Sequence, residues 1–271
     1  IYVDDKPNLT VSISNANFAD KNVGTNKVVT ADYALGGSAA DNYEITSTPE
    51  LKANITAATI TVTAATASNK EYDSETDATV TVTAFSGKKG ADKVEVAATG
   101  TFEDANAGTG KTVNAEYTLT GDDKDNYVLA SATGSTTADI TPKPVTLDWG
   151  TTSFTYDGTE KTVTATVTNP EGTDVVKVTT YTGNKETNVG DDYTATATGL
   201  NNSNYKLPTN ASTKWEITPA TGTISVAPIA AETYNGEAHT PAPVVTMGGK
   251  TLVEGTDYTV TYTNNTNAGT A

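Results

Sequence analysis

An acid, an amide and a phenol stand side by side at Asp125, Asn126 and Tyr127, within the stretch GDDKDNYVLA. A carboxylate and a phenol are groups that can pass a proton to or from a substrate, and carboxylate and amide oxygens are hard ligands for a divalent cation. Asp122 and Asp123 lie just upstream, so Asp122, Asp123 and Asp125 are the residues with which this chain could hold Ca²⁺, although the loop lacks the Gly and distal Glu of an EF-hand. Asp4/Asp5 and Asp191/Asp192 are further acid pairs of the same kind. His239, the single histidine, sits in the Pro-flanked stretch GEAHTPAP and reads as an ordinary surface or edge residue. The chain has no GxSxG turn, no His-based triad, no His/Cys cluster and no phosphate loop. No residue is therefore assigned as catalytic, cofactor-binding or metal-ligating, and the Asp122, Asp123, Asp125 loop is the one place kept open for Ca²⁺.

The trio returns elsewhere, which changes its meaning. DNYEI begins at Asp41 and SNYKL at Ser203; EYDSET, TYDGTE and TYNGEA begin at Glu71, Thr155 and Thr233, and both landmarks recur at the same two intervals, 84 and 78 residues. A third landmark, KNVGT, ANAGT, TNVGD and TNAGT from Lys21, Ala105, Thr187 and Thr266, falls between them. Three landmarks that recur in one order mark internal repeats. Each DNY or SNY then reads as a turn that leads a Tyr into the core, its hydroxyl tied to a loop, with Asp or Asn taking left-handed backbone. Asp157-Gly158 and Asn235-Gly236 read as hairpin turns placed after inward-packing Tyr156 and Tyr234, whereas Asp73-Ser74 departs from the Gly pattern.

Each repeat closes on a similar phrase, ANITAATITV, ADITPKPVTL or WEITPATGTI, where one alternating run ends and the next begins almost at once. Such short, partly Pro-stiffened connections leave little freedom, so successive repeats are expected to stack end to end as a rod. Phased on these phrases, residues 1–57 are the C-terminal part of a repeat, 58–142 and 143–219 are whole, and 220–271 begin a fourth; the chain starts at Ile1 and reads as an excised or processed segment. Within 58–142, runs such as TITVTA, ATVTVTAFS and KTVNAEYTLT alternate apolar and polar residues between Gly, Asn and Asp clusters. The expected fold is all-β, a tandem array of small antiparallel Ig-like sandwiches. The alternative is a β-grasp-like module with one short helix, near Gly87.

Composition agrees with thin cores divided among small domains: hydrophobic residues make up 36%, and Thr, which suits a pleated half-buried surface, is abundant. The net charge of −16, from 17 Lys and 33 acids, opposes binding to nucleic acid and to anionic membranes. No cysteine is present, so disulfides cannot brace the repeats. No run approaches the ~20 apolar residues of a membrane span, so no direct membrane insertion is expected. Lys88, Lys89 and Lys185 flank turns, and no apolar-flanked Lys with an acid partner stands out for a covalent cross-link.

Residues 100–147, GTFEDANAGTGKTVNAEYTLTGDDKDNYVLASATGSTTADITPKPVTL, resemble the YDG-type repeat of large bacterial surface adhesins, and ANFADKNVGTNKVVTADYALGGSAADNYEITSTPELKANITAATITV is similar to the same module truncated. FTYDGTEKTVTATVTNPEGTDV with NSNYKLPTNASTKWEITPATGTI resembles the related MBG-type repeat; ETYNGEAHTPAPVV with GGKTLVEGTDYTVTYTNNTNAGTA resembles another bacterial Ig-like cell-wall repeat. The resemblance implies an extracellular, cell-surface stalk without catalysis, whose partners are neighbouring repeats. The alternative is a module that grips host glycan, mucin or protein; 13 Tyr suit binding loops, but most fall at repeat-equivalent strand positions, which leaves Trp149 and Trp215 as the aromatic outliers.

Overall fold

Thr and Val alternate along the second repeat, and strands form where that alternation runs: Ala58–Ala67, Val80–Ser86, Glu95–Phe102, Gly108–Thr120 and Thr133–Thr141. The computed structural model describes residues 1–263, and the Thr266 landmark lies outside them. Over the described residues the protein is all-β, with short 3-10 turns at Val3–Asn8, Ala40–Asn42 and Lys124–Asn126. No short helix forms beside Gly87; residues 89–92 make a β-turn closed by the Asp92 N–H on the Lys89 carbonyl (3.1 Å).

The second repeat holds two sheets. One orders Tyr127–Leu129, Ala58–Ala67 and Val80–Ser86; the other orders Lys70–Glu71, Thr133–Thr141, Gly108–Thr120, Glu95–Phe102 and Asp77–Ala78. Long neighbours pair antiparallel, joined by parallel pairs between Tyr127–Leu129 and Ala58–Ala67 and between Lys70–Glu71 and Thr133–Thr141. Ile60, Val94 and Tyr127 are buried together with Phe85, Val96, Leu119 and Leu129 packed on them, drawing from strands of both sheets. Each fully buried aliphatic side chain there contributes about 1.5–3 kcal/mol. The first repeat has the counterpart of the second sheet, with Thr10–Phe18, Gly24–Gly36 and Leu51–Ile55 paired antiparallel, and leaves Val11 and Ile13 exposed. Only residues 56–57 separate Leu51–Ile55 from Ala58–Ala67.

The chain divides into two compact units. The first comprises Ile1–Val145, Asn169–Val176 and Asn202–Lys206; the second comprises Thr146–Thr168, Lys177–Asn201 and the residues from Leu207 onward. The division therefore runs through the third repeat, two of whose loops belong with the second. In the second unit, Val163, Ala195, Trp215 and Ile217 form a core lined by Trp149, Phe154 and Tyr193. Trp215 donates its Nε1–H to the Gly183 carbonyl (2.9 Å), and half-buried Trp149 meets Tyr181 edge-on, centroids 6.1 Å apart. Ile224–Val226, Val245–Met247 and Lys250–Thr251 form a further three-stranded sheet.

One Lys does enter a core. Lys111 is 9% exposed and places its ammonium 2.8 Å from Asp104, its aliphatic stem covered. Flanking residues did not reveal it, since Gly110 and Thr112 beside it are not large apolar residues. No helix among the described residues is long and apolar enough to cross a membrane.

Candidate functional site: the joints between repeats

Tyr127 is buried, and its hydroxyl is tied to the turn at residues 89–92: it accepts the Lys89 N–H (2.9 Å) and donates to Asp92 Oδ2 (2.8 Å). Tyr205 repeats this with the Glu171 N–H (2.7 Å) and Asp174 Oδ2 (2.8 Å), and Tyr43 with the Tyr2 N–H and Asp5 Oδ2, both 3.0 Å. A β-turn with an acid at its end and a phenol across it is thus built three times. Burial pushes the Tyr127 phenol above its usual range and pushes Tyr205 up to about 12, with Asp92 and Asp174 respectively adding to the effect.

Asn126 turns away from its own repeat. Its Oδ1 accepts the Val23 N–H (2.8 Å) and its Nδ2 donates to Asn22 Oδ1 (3.2 Å). Asn204 makes the same two bonds to the Ala107 N–H (2.8 Å) and Asn106 Oδ1 (3.1 Å). The Asn of the NY motif therefore clasps the Asn-Val-Gly or Asn-Ala-Gly turn of the repeat before it. That turn is preset by Asp20 and Asp104, which accept the Asn22 and Asn106 N–H groups at 2.8 and 2.7 Å; Lys27 and Lys111 pair with these acids and hold both carboxyls below the usual carboxylate range.

The Asp and Asn of the motif do not take left-handed backbone as expected. Residues Lys124–Asn126 form a 3-10 turn, and the left-handed residue is Gly121 (φ 97°), where a Cβ would meet the Lys93 carbonyl at 2.2 Å; Gly37 (φ 91°) stands likewise against Asn8. Asp123 closes the loop by accepting the Lys93 N–H (2.8 Å).

The tyrosine of the YDG motif is also placed differently from expectation. Tyr72 is 5% exposed because the next repeat covers it: it meets the Tyr205 ring and donates to Asp174 Oδ2 (2.8 Å). Tyr156 and Tyr234, in the second unit, are 39% and 65% exposed, so neither is packed inward. The turn after each is shared: Asp73, Asp157 and Asn235 accept the N–H two residues on, while Ser74 (φ 67°), Gly158 (φ 81°) and Gly236 (φ 83°) take positive φ. At Asp157-Gly158 it is not the hairpin expected, because Ser153–Thr155 pairs with Ser212–Thr218 and Lys161–Thr162 with Lys185–Glu186; in the second repeat likewise Lys70–Glu71 pairs with Thr133–Thr141 and Asp77–Ala78 with Glu95–Phe102.

The acids singled out for Ca²⁺ point to separate cations. Asp122 pairs with Lys93 (3.0 Å), Asp125 with Lys124 (3.2 Å), and Asp123 with Lys21 of the preceding repeat (3.0 Å). Lys21 reaches Asp92 as well (2.5 Å), so it crosses the first joint to two carboxylates, and both are held below the usual range. Lys21 hydrogen-bonding is the first cause at Asp92; the Lys93 N–H, then Lys21, act at Asp123. Among the described residues no three His, Cys, Asp or Glu side chains gather to hold a metal. Asp192 pairs with Lys214 (2.6 Å), Asp5 receives Tyr43, Lys88 and Lys185 reach Glu95 and Glu160, and His239 Nδ1 lies 3.9 Å from Glu232.

The recurring carboxylates, amides and phenols of the first unit thus converge on the junctions between repeats. Sequence spacing alone placed each motif within its own repeat. The Asn shared by DNY and SNY, kept while its predecessor changes from Asp to Ser, was the available signal that the amide has a task of its own. No curated protein and no solved structure matches the chain. A YDG domain is found twice, over residues 2–50 and again over residues 56–135.

Proposed function

We propose that this chain is a non-catalytic segment of an extracellular stalk of a bacterial surface adhesin, in which YDG-type repeats are followed by an MBG-type repeat and an Ig-like cell-wall repeat, and which carries a functional head away from the cell. The observation that supports it is the re-use of one joint: Asn126 and Asn204 hold the preceding repeat through matching atoms. Docking that recurs at successive junctions stiffens a chain of repeats beyond what short linkers alone provide. The carboxylates and phenols of the repeated motifs take part in hydrogen bonds within and between repeats, which supports a spacer. The acidic surface suits a solvated exterior position.

The test is display of the chain on cells with a tag at its outer end, with and without an added copy of residues 58–142. A spacer raises the tag by roughly 35 to 45 Å per added repeat, the length of strands of 7 to 10 residues with their turns. The isolated chain should also leave a panel of glycans and mucins unbound. Tag height that ignores repeat number, or saturable binding to one glycan, would favour the adhesive-module alternative.

A further inference from the structure

The first repeat carries the receiving half of the joint with an open face. Asn42 occupies the place of Asn126 and Asn204, and Tyr43 bonds Tyr2 and Asp5 as Tyr127 bonds Lys89 and Asp92. At the two filled joints the phenol is 5% and 4% exposed and the Asn is half-buried or buried. Asn42 is exposed and Tyr43 only half-buried. The exposure of Asn42 is that of an unfilled clasp, whereas Tyr127 is covered by Ile60, Val94 and Phe85 of its own repeat, so the lesser burial of Tyr43 does not bear on the preceding one.

We propose that Asn42, Tyr43 and Asp5 form a docking face for a further repeat of this kind, linked in the same chain and presenting an Asn-Val-Gly or Asn-Ala-Gly turn. The Asn42 Oδ1 accepts the N–H that follows the turn's Asn, and its Nδ2 donates to that Asn's side-chain oxygen. The inference rests on the serial-joint reading above and names its partner. The face also selects among partners. Ala39 stands where Asp123 stands, since the Ala39 N–H meets the Asn8 carbonyl as the Asp123 N–H meets that of Lys93. A Lys placed like Lys21 would find one carboxylate, Asp5, where Lys21 finds two. Asp5 instead suits a phenol placed like Tyr72, which joins Tyr205 on Asp174.

Duplicating residues 1–87 directly ahead of Ile1 in the full chain keeps the phase, because Tyr2 and Lys89 hold the same place in their loops. The added Asn22-Val23 turn is thereby offered to Asn42. Amide exchange at the added Val23 is then compared in the extended chain and its Asn42→Ala variant, with Asn126→Ala as the reference at the original joint. The expected result is about tenfold faster exchange at the added Val23 in Asn42→Ala, the factor carried by one hydrogen bond of ordinary net strength. Unchanged exchange there, with faster exchange at the original Val23 in Asn126→Ala, would overturn the docking face alone. No change in either variant would overturn the joint itself and the inference with it. Pairing of unextended chains that Asn42→Ala abolishes would put a second copy on this face and overturn the assignment to a linked repeat.

Discussion

Tyr72 and Tyr205 meet edge to face, centroids 5.3 Å apart and planes inclined at 70°, and both hydroxyls donate to Asp174 Oδ2 at 2.8 Å. One phenol comes from the YDG motif of the second repeat and the other from the NY motif of the third. Different landmarks of two successive repeats are thereby joined at one carboxylate oxygen.

Removing one of the two donors weakens this joint without emptying it. Tyr72→Phe keeps the ring contact and loses a bond to a charged acceptor, which costs about 1.5 kcal/mol, the lower end for such bonds, since Tyr205 still serves Asp174. Tyr72→Ala loses the ring as well, and about 3 kcal/mol or more is expected. Urea unfolding followed by circular dichroism measures both.

Asn126→Ala and Asn204→Ala each strand a backbone N–H, of Val23 and Ala107 respectively. A loss of about 1–3 kcal/mol is expected for an unsatisfied donor, and Asn204 should show the larger value because it is 9% exposed while Asn126 is half-buried. Amide exchange at Val23 and Ala107 locates the loss, and equal exchange in wild type and variants would refute the clasp.

Alkali should loosen the second joint. The Tyr205 phenol is raised from about 10 in an unfolded chain to about 12 in the fold, so the folded state favours the neutral form. Its contribution is complete below about pH 10 and disappears as pH rises through about 12. Tyrosinate absorbance should show Tyr205 ionising after ordinary tyrosines, with stability falling across the same window.

Acid should act on the first joint with the opposite sign. Asp92 and Asp123 are depressed below the unfolded carboxylate value, so their contribution is present above about pH 4 and is lost as pH falls through their folded values. Lys21→Met should flatten this acid limb while leaving the alkaline one in place, as read from denaturation midpoints over a pH series.

Ser74 holds a conformation its neighbours assign to glycine. At φ 67° it takes the place of Gly158 and Gly236, and a left-handed non-glycine residue costs about 1–2 kcal/mol, offset in part by the greater chain entropy glycine loses. Ser74→Gly should therefore stabilise the second repeat by up to about 1 kcal/mol, visible as a raised thermal midpoint.

Alternation and turn residues made the strands of the second repeat readable, and the recurrence of NY pointed to a buried Tyr tied to a loop. The role of Asn126 was not readable, because its partner Val23 is 103 positions away and belongs to the neighbouring repeat. A periodic sequence cannot by its spacing distinguish a bond within one repeat from the same bond made to the next. Tyr72 illustrates the cost: its hydroxyl is tied to Asp174 of the next repeat, 102 positions on.

The clasp between Asn126 and Asn22 is made of two uncharged amides, whereas Lys21, exposed to solvent, bridges the same joint through full charges to two partly covered carboxylates. Mobile ions screen the second and leave the first nearly untouched, with a screening length of about 8 Å at physiological ionic strength and about 3 Å at 1 M. A joint built on both therefore keeps the amide part of its register at any ionic strength, while the ionic part weakens as salt rises.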